Sequence, residues 1–121
     1  MEPSSTLHIE VQGKSIEVEE NGYLKCQEDW SEDVGNYLSK VDGIELSKDH
    51  WEIINFVRRY YFTYQNSPHP KMVAKKLNRQ LGTQKYSVKY IFILFPEHPI
   101  RKACKYGGIP FVASPCWDGG Y

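Results

Sequence analysis

Residues 47–64 read SKDHWEIINFVRRYYFTY, and this stretch decides the fold class. Ile53, Phe56, Val57, Tyr60, Tyr61 and Tyr64 fall at i, i+3, i+4, i+7, i+8 and i+11, the spacing of one helical face. Ser47 stands where an N-cap hydroxyl is favoured. Trp51 and Ile54 carry the apolar surface beyond that stripe, so a helix from about Lys48 to Tyr64 is expected to be central, with Glu52, Asn55 and Arg59 on its narrow wet side. Asn66-Ser67-Pro68-His69-Pro70 breaks it, because each proline disfavours helix in the preceding residue and removes an amide donor.

Downstream, Val73, Leu77 and Leu81 recur every four residues and predict the buried edge of a helix over 70–81, closed by Gly82. Lys71, Lys75 and Arg79, with Lys76 beside them, form a basic row on the opposite side. Ser87 precedes the unbroken apolar run 90–95, which suits a buried strand or a short core helix over 88–95; the flanking turn and Pro96 favour the helix. Pro99 sits well in the first turn of a last helix, 99–106, which Gly107-Gly108 ends. Upstream, Ser31 with Glu32 and Asp33 opens a helix that runs to about Lys40. Before it, Leu7, Ile9 and Val11, then Ile16 and Val18, alternate with polar residues around Gly13, a β-hairpin pattern. The fold expected is α+β and mostly α. A hairpin at 7–19 packs on a bundle of about five helices within 31–106, and a flexible arm occupies 107–121, all in one domain of 121 residues. Trp51, Ile54, Phe56, Val57, Phe92 and Leu94 are the expected core.

Charge is divided along the chain. Residues 1–55 carry four lysines against thirteen carboxylates, a net −9, and residues 56–121 carry eleven Lys and Arg against Glu97 and Asp118, a net +9. The basic half reads as a solvated face or a docking surface for an anionic partner. Helices 70–81 and 87–95 mimic a helix-turn-helix, but Ile91, Phe92, Ile93, Leu94 and Phe95 leave almost nothing polar to read base edges, so no specific DNA binding is expected. No apolar run approaches the roughly 20 residues of a spanning helix, and the first residues lack the pattern of a signal peptide; the expectation is a cytoplasmic protein without membrane insertion.

His8, His50, His69 and His98 are scattered, with no zinc-ligand spacing, and no phosphate-binding glycine loop occurs, so neither a metal nor a cofactor is expected. His50 and His69 read as capping or surface residues. Three cysteines without a CxxC pair argue against a disulfide scaffold and a four-thiolate site. Cys26 reads as an ordinary small residue at an element edge. Cys104 is flanked by Arg101, Lys102 and Lys105, cations expected to lower its pKa and favour the reactive thiolate. Cys116, between Pro115 and Trp117 on the arm, is twelve residues further on, a loop that closes easily. From the residues alone, a reactive pair and two structural thiols stand equally open.

Gly22-Tyr23-Leu24, Trp30-Ser31-Glu32, the helix-opening Leu46-Ser47-Lys48-Asp49-His50-Trp51-Glu52 with Phe56-Val57-Arg58, and the tail Leu94-Phe95-Pro96, Lys102-Ala103-Cys104-Lys105, Gly108-Ile109-Pro110 and Cys116 together resemble the DsrC/TusE family of sulfur-relay proteins. The resemblance runs through nearly the whole chain in consistent order. It implies a hairpin on a helical bundle with a cysteine-bearing arm. It also implies that Cys116 carries sulfur as a persulfide and that Cys104 closes a disulfide or sulfur-bridged loop with it, leaving Cys26 free. The implied partners are other sulfur-relay proteins, and dissimilatory sulfite reductase or a thiol-disulfide redox complex. The DsrC type, named for the gamma subunit of that reductase, has both cysteines, whereas the TusE type, which passes sulfur toward tRNA 2-thiouridine, has only the last, so Cys104 points to the DsrC type. The interval to Cys116 is one residue longer than in the family pattern, and Trp117 to Tyr121 follow a cysteine that is normally penultimate. Two other classes fit parts of the sequence: a regulatory protein that kept the fold without sulfur transfer, and a ubiquitin-like sulfur carrier suggested by the hairpin and Gly119-Gly120. The latter route needs a free C-terminal glycine, and Tyr121 follows.

Overall fold

Gln12 and Gly13, at φ 54° and 78°, form a two-residue turn with both central residues in the left-handed region, the geometry that matches the twist of a hairpin. It joins β1 (Leu7–Val11) to β2 (Lys14–Val18), paired antiparallel with Ile9 opposite Ile16 and Val11 opposite Lys14. A computed structural model describes residues 7–19 and 23–112 of the chain. Val11, Ile16 and Val18 point inward, as their alternation predicts. The turn is tighter than the spacing implied, because Lys14 and Ser15 already belong to β2. Leu24 returns to bridge Val18, and Gln27–Asp29 forms a 3-10 turn, two features the sequence reading lacked.

Five helices follow among the described residues: α1 (Glu32–Val41), α2 (Lys48–Tyr64), α3 (Pro70–Leu81), α4 (Val88–Leu94) and α5 (Pro99–Tyr106). The mostly helical α+β expectation holds, and the run from Tyr90 to Leu94 is helical with Phe95 at its C-cap, the helix being capped at its start by Ser87, whose hydroxyl accepts from Tyr90 N–H at 3.0 Å. α2 packs against α3 and α5, and α5 also touches α1 and α4. Ile53, Ile54 and Val57 of α2 are fully buried against Val73 and Leu77 of α3, Ile91 and Phe95, and Ile100 and Ala103 of α5. Removing one such side chain costs about 2 to 5 kcal/mol.

Some expectations fail for geometric reasons. Ile54, Phe56 and Val57 are core, but Trp51, Phe92 and Leu94 are only half-buried; within the run 90–95 the deepest positions are Ile91 and Phe95, four apart on one helical face. Tyr64 and Leu81, each in the last turn of its helix, project past the bundle and are exposed. His50 caps as expected, yet it is buried. Its Nδ1 accepts from Ser47 N–H at 3.0 Å, and its Nε2 lies 2.8 Å from Leu94 O, tying the start of α2 to the end of α4. His69 caps α3, accepting from Lys71 N–H at 3.1 Å. Among the described residues no helix is long and apolar enough to cross a membrane.

Candidate functional site

α5 buries Ile100, Ala103 and Cys104 on one face, at i, i+3 and i+4. Cys104 is wholly inaccessible, and its Sγ lies 3.6 Å from Ser67 Oγ. Burial pushes its thiol up to about 12, offset only in part by the Ser67 hydroxyl, so it is protonated at neutral pH. The expectation of a thiolate stabilised by cations is therefore corrected. Lys105 lies 3.0 Å from the Asp42 carboxylate. Lys102 donates to Pro96 O at 2.7 Å. Arg101, one helical turn before Cys104, is exposed and stacks its guanidinium over Phe111 at 4.4 Å.

The chain beyond α5 is held from several sides. Trp30 Nε1 donates to Tyr106 O at 2.7 Å, and Arg58, its guanidinium 3.9 Å above the Trp30 ring, donates to Gly107 O. Gly108 sits at φ 71°, and a Cβ there would intrude into the Trp30 ring. Ile109 N–H donates to Cys104 O at 3.1 Å, and the Ile109 side chain is buried. Val112 then pairs with Ser67: Ser67 N–H donates to Val112 O at 2.8 Å, and Val112 N–H donates to Ser67 Oγ at 3.0 Å. Residues 107–112 are thus packed, not a free arm as expected from Gly107 onward. Gly108 permits close approach to Trp30 and Gly107 to Arg58 and Ile54, so the pair does not signal looseness. Beside this root lies a cleft of about 230 Å³ lined by Glu19, Tyr23, Leu24, Arg101, Pro110 and Phe111.

Of the site residues read from sequence, the structure brings Arg101 and Cys104 to the root of the tail. Cys116 lies outside the described residues, as does Trp117. Lys71, Lys75 and Arg79 lie exposed along α3, as does Lys76, and none pairs with a carboxylate among the described residues. Cys26 is exposed at the edge of the 3-10 turn. Ser67, Trp30 and Arg58 were missed as site residues. Ser67 carried a faint signal: a polar residue before proline is held extended and offers its amide to another extended segment.

Comparison with known proteins bears on this geometry. The family profile described as "DsrC like protein" matches residues 10–114. The chain belongs to the DsrC-like family. Its curated relatives include proteins named "Sulfurtransferase TusE" from Sodalis glossinidius and Escherichia coli K12. The first is 38% identical over 102 residues, covering 84% of this chain and 94% of the relative; the second is 37% identical over 99 residues, covering 82% and 91%. Among solved structures, DsrC from Allochromatium vinosum superposes with a TM-score of 0.80 at 39% identity, covering 90% of this chain and 97% of that one. The oxidised gamma subunit of dissimilatory sulfite reductase (DsrC) from Archaeoglobus fulgidus gives 0.77 at 31% identity, covering 89% and 98%. The family resemblance read from the motifs and the DsrC-like fold are both borne out.

Proposed function

We propose that this DsrC-like protein is a sulfur carrier that receives sulfane sulfur on Cys116 and releases it through Cys104. The observation that carries the reading is the path of the tail: Val112 is held to Ser67, whose Oγ lies 3.6 Å from Cys104 Sγ, and Cys116 lies four residues further on in sequence. Four extended residues span roughly 13 Å, ample for the two sulfurs to meet. In the loading step, the Cys116 thiolate attacks the outer sulfur of a donor persulfide; the new S–S bond makes Cys116 a persulfide, and the donor cysteine leaves as a thiolate. In the release step, Cys104 loses its proton and attacks the inner sulfur of that persulfide. A Cys104–Cys116 disulfide forms and hydrosulfide leaves, with no external oxidant. A two-electron thiol reductant then restores both thiols. The raised pKa of Cys104 suits a partner that stays silent while Cys116 is loaded.

Sulfur-relay proteins are the proposed donors and acceptors, with a sulfite reductase or thiol-disulfide redox complex as partner. The exposed row Lys71, Lys75 and Arg79 is proposed as the docking face for an acidic partner surface. The curated relatives named TusE favour a second reading, sulfur transfer toward tRNA thiolation, in which Cys116 acts and Cys104 is dispensable. Mass spectrometry after incubation with a persulfide donor tests the proposal. A gain of one sulfur is expected in wild type and Cys104→Ser and absent in Cys116→Ser. A gain that survives Cys116→Ser and vanishes in Cys104→Ser would reverse the roles, and no gain in any form would leave the regulatory reading.

A further inference from the structure

Ser67 is a polar side chain exposed to only 1%, and the helix break around it needs no hydroxyl, because Pro68 and Pro70 suffice. What the hydroxyl does is join two other groups. Its Oγ accepts the Val112 N–H at 3.0 Å and lies 3.6 Å from Cys104 Sγ, while the Ser67 N–H holds Val112 O at 2.8 Å. Ser67 Oγ thus stands between the Val112 amide and the sulfur, and either the hydroxyl or the thiol can donate across the 3.6 Å contact. The cleft beside the tail root reaches Arg101, Pro110 and Phe111 but not Cys104, whose sulfur has no exposed surface. We propose that Ser67 is the positioning residue of the Cys104 thiol: it clasps Val112 at the root of the tail, and the sulfur is reached only when Val112 lifts from Ser67.

The clasp is the natural place for opening. It consists of one backbone–backbone and one backbone–side-chain hydrogen bond to a residue that is itself 39% exposed, whereas α5 is fixed by buried Ile100, Ala103 and Tyr106. Local openings of this kind cost less than global unfolding. The device couples the position of the tail to the reactivity of the thiol: while Val112 is seated, Cys104 is shielded from stray oxidants and persulfides, and a partner that draws the tail outward exposes it. Its place in sulfur transfer rests on the carrier reading; the clasp itself does not.

The test uses the full reduced chain and iodoacetamide, a probe that needs no sulfur donor. The thiol releases its proton to solvent, and the thiolate displaces iodide to form a thioether. Peptide mapping follows Cys104, with exposed Cys26 as internal standard. In wild type, Cys104 is expected to react on the order of 100-fold more slowly than Cys26. Ser67→Ala removes the acceptor of Val112 N–H and should speed Cys104 on the order of tenfold. Hydrogen exchange at the Val112 amide should accelerate by the same factor while the core amides of Ile53 and Leu77 do not change. Three results would overturn the clasp: a wild-type Cys104 as fast as Cys26, faster exchange at Val112 with unchanged alkylation, or equal acceleration at Ile53 and Leu77. Loss of persulfide loading with the clasp intact would instead count against the carrier reading alone.

Discussion

Three cations surround Cys104 in sequence, and none of their charges reaches its sulfur. On a helix, neighbours at −2 and +1 face other directions, which sends Lys102 to Pro96 O and Lys105 to Asp42. Arg101 at −3 has the right azimuth but turns outward onto Phe111. Burial therefore dominates the thiol. Lys105→Gln should leave the pH dependence of Cys104 alkylation where it is in wild type, since the lysine's charge is spent on Asp42; a shift toward higher pH would restore the thiolate-stabilising role. The cationic neighbours of Cys104 were legible in the sequence, but its burial was not. Burial is set by α2 and by Ser67, which lies 37 positions away, and charge in a local window carries no record of either.

The helices were legible because their periodicities are long and their caps are chemical: Ser31, Ser47 and Ser87 precede α1, α2 and α4, and Pro70 and Pro99 open α3 and α5. The packing of their ends was not, because a last-turn apolar residue such as Leu81 or Tyr64 is buried only if another element reaches it. Gly107-Gly108 read as a helix stop and as the start of loose chain; the first holds, and the second fails for residues 107–112, where the Trp30 side chain abuts Gly108. Gly108→Ala places a methyl group against that ring at a positive φ, so it should destabilise the fold by about 1 to 3 kcal/mol, seen as a lower urea midpoint. An unchanged midpoint would mean that Trp30 is not a fixed wall. At the start of α2, Asp49 accepts from Lys85 Nζ at 2.8 Å, from Tyr86 OH at 3.3 Å and from Tyr90 OH, joining α2 to the α3–α4 connection. The hydrogen bond from Lys85, then that from Tyr90, holds its carboxyl below the ordinary 3.8. A depressed carboxyl contributes stability that is complete above its unfolded pKa and is lost as pH falls through the folded one. The urea midpoint of wild type should therefore drop more steeply below about pH 4 than that of Asp49→Asn; parallel curves would contradict this.

The whole molecule has equal numbers of Lys plus Arg and of Asp plus Glu, yet its charges are sorted along the chain. The acidic half forms the hairpin, α1 and the start of α2; the basic half forms α3 to α5, with the α3 row exposed. Where the halves meet, Lys85–Asp49 and Lys105–Asp42 hold α2 to the α3–α4 connection and α5 to the end of α1. Exposed like charges gain more from steering a partner than from stability. Reversing Lys75 and Arg79 to Glu should slow association with an acidic relay partner on the order of tenfold at low salt, and less at high salt, without changing sulfur loading from a small-molecule donor. Equal association rates would remove the docking role from α3. The carrier proposed above would be guided to its partner by this face and would hold its chemistry at the root of its tail. The most direct test is the release step itself: load the chain with a persulfide donor, remove the donor, and measure hydrosulfide released together with the disulfides formed. The account predicts one hydrosulfide for each Cys104–Cys116 disulfide, Cys26 still free, and no release from Cys104→Ser. Release undiminished in Cys104→Ser, or a disulfide containing Cys26, would contradict it.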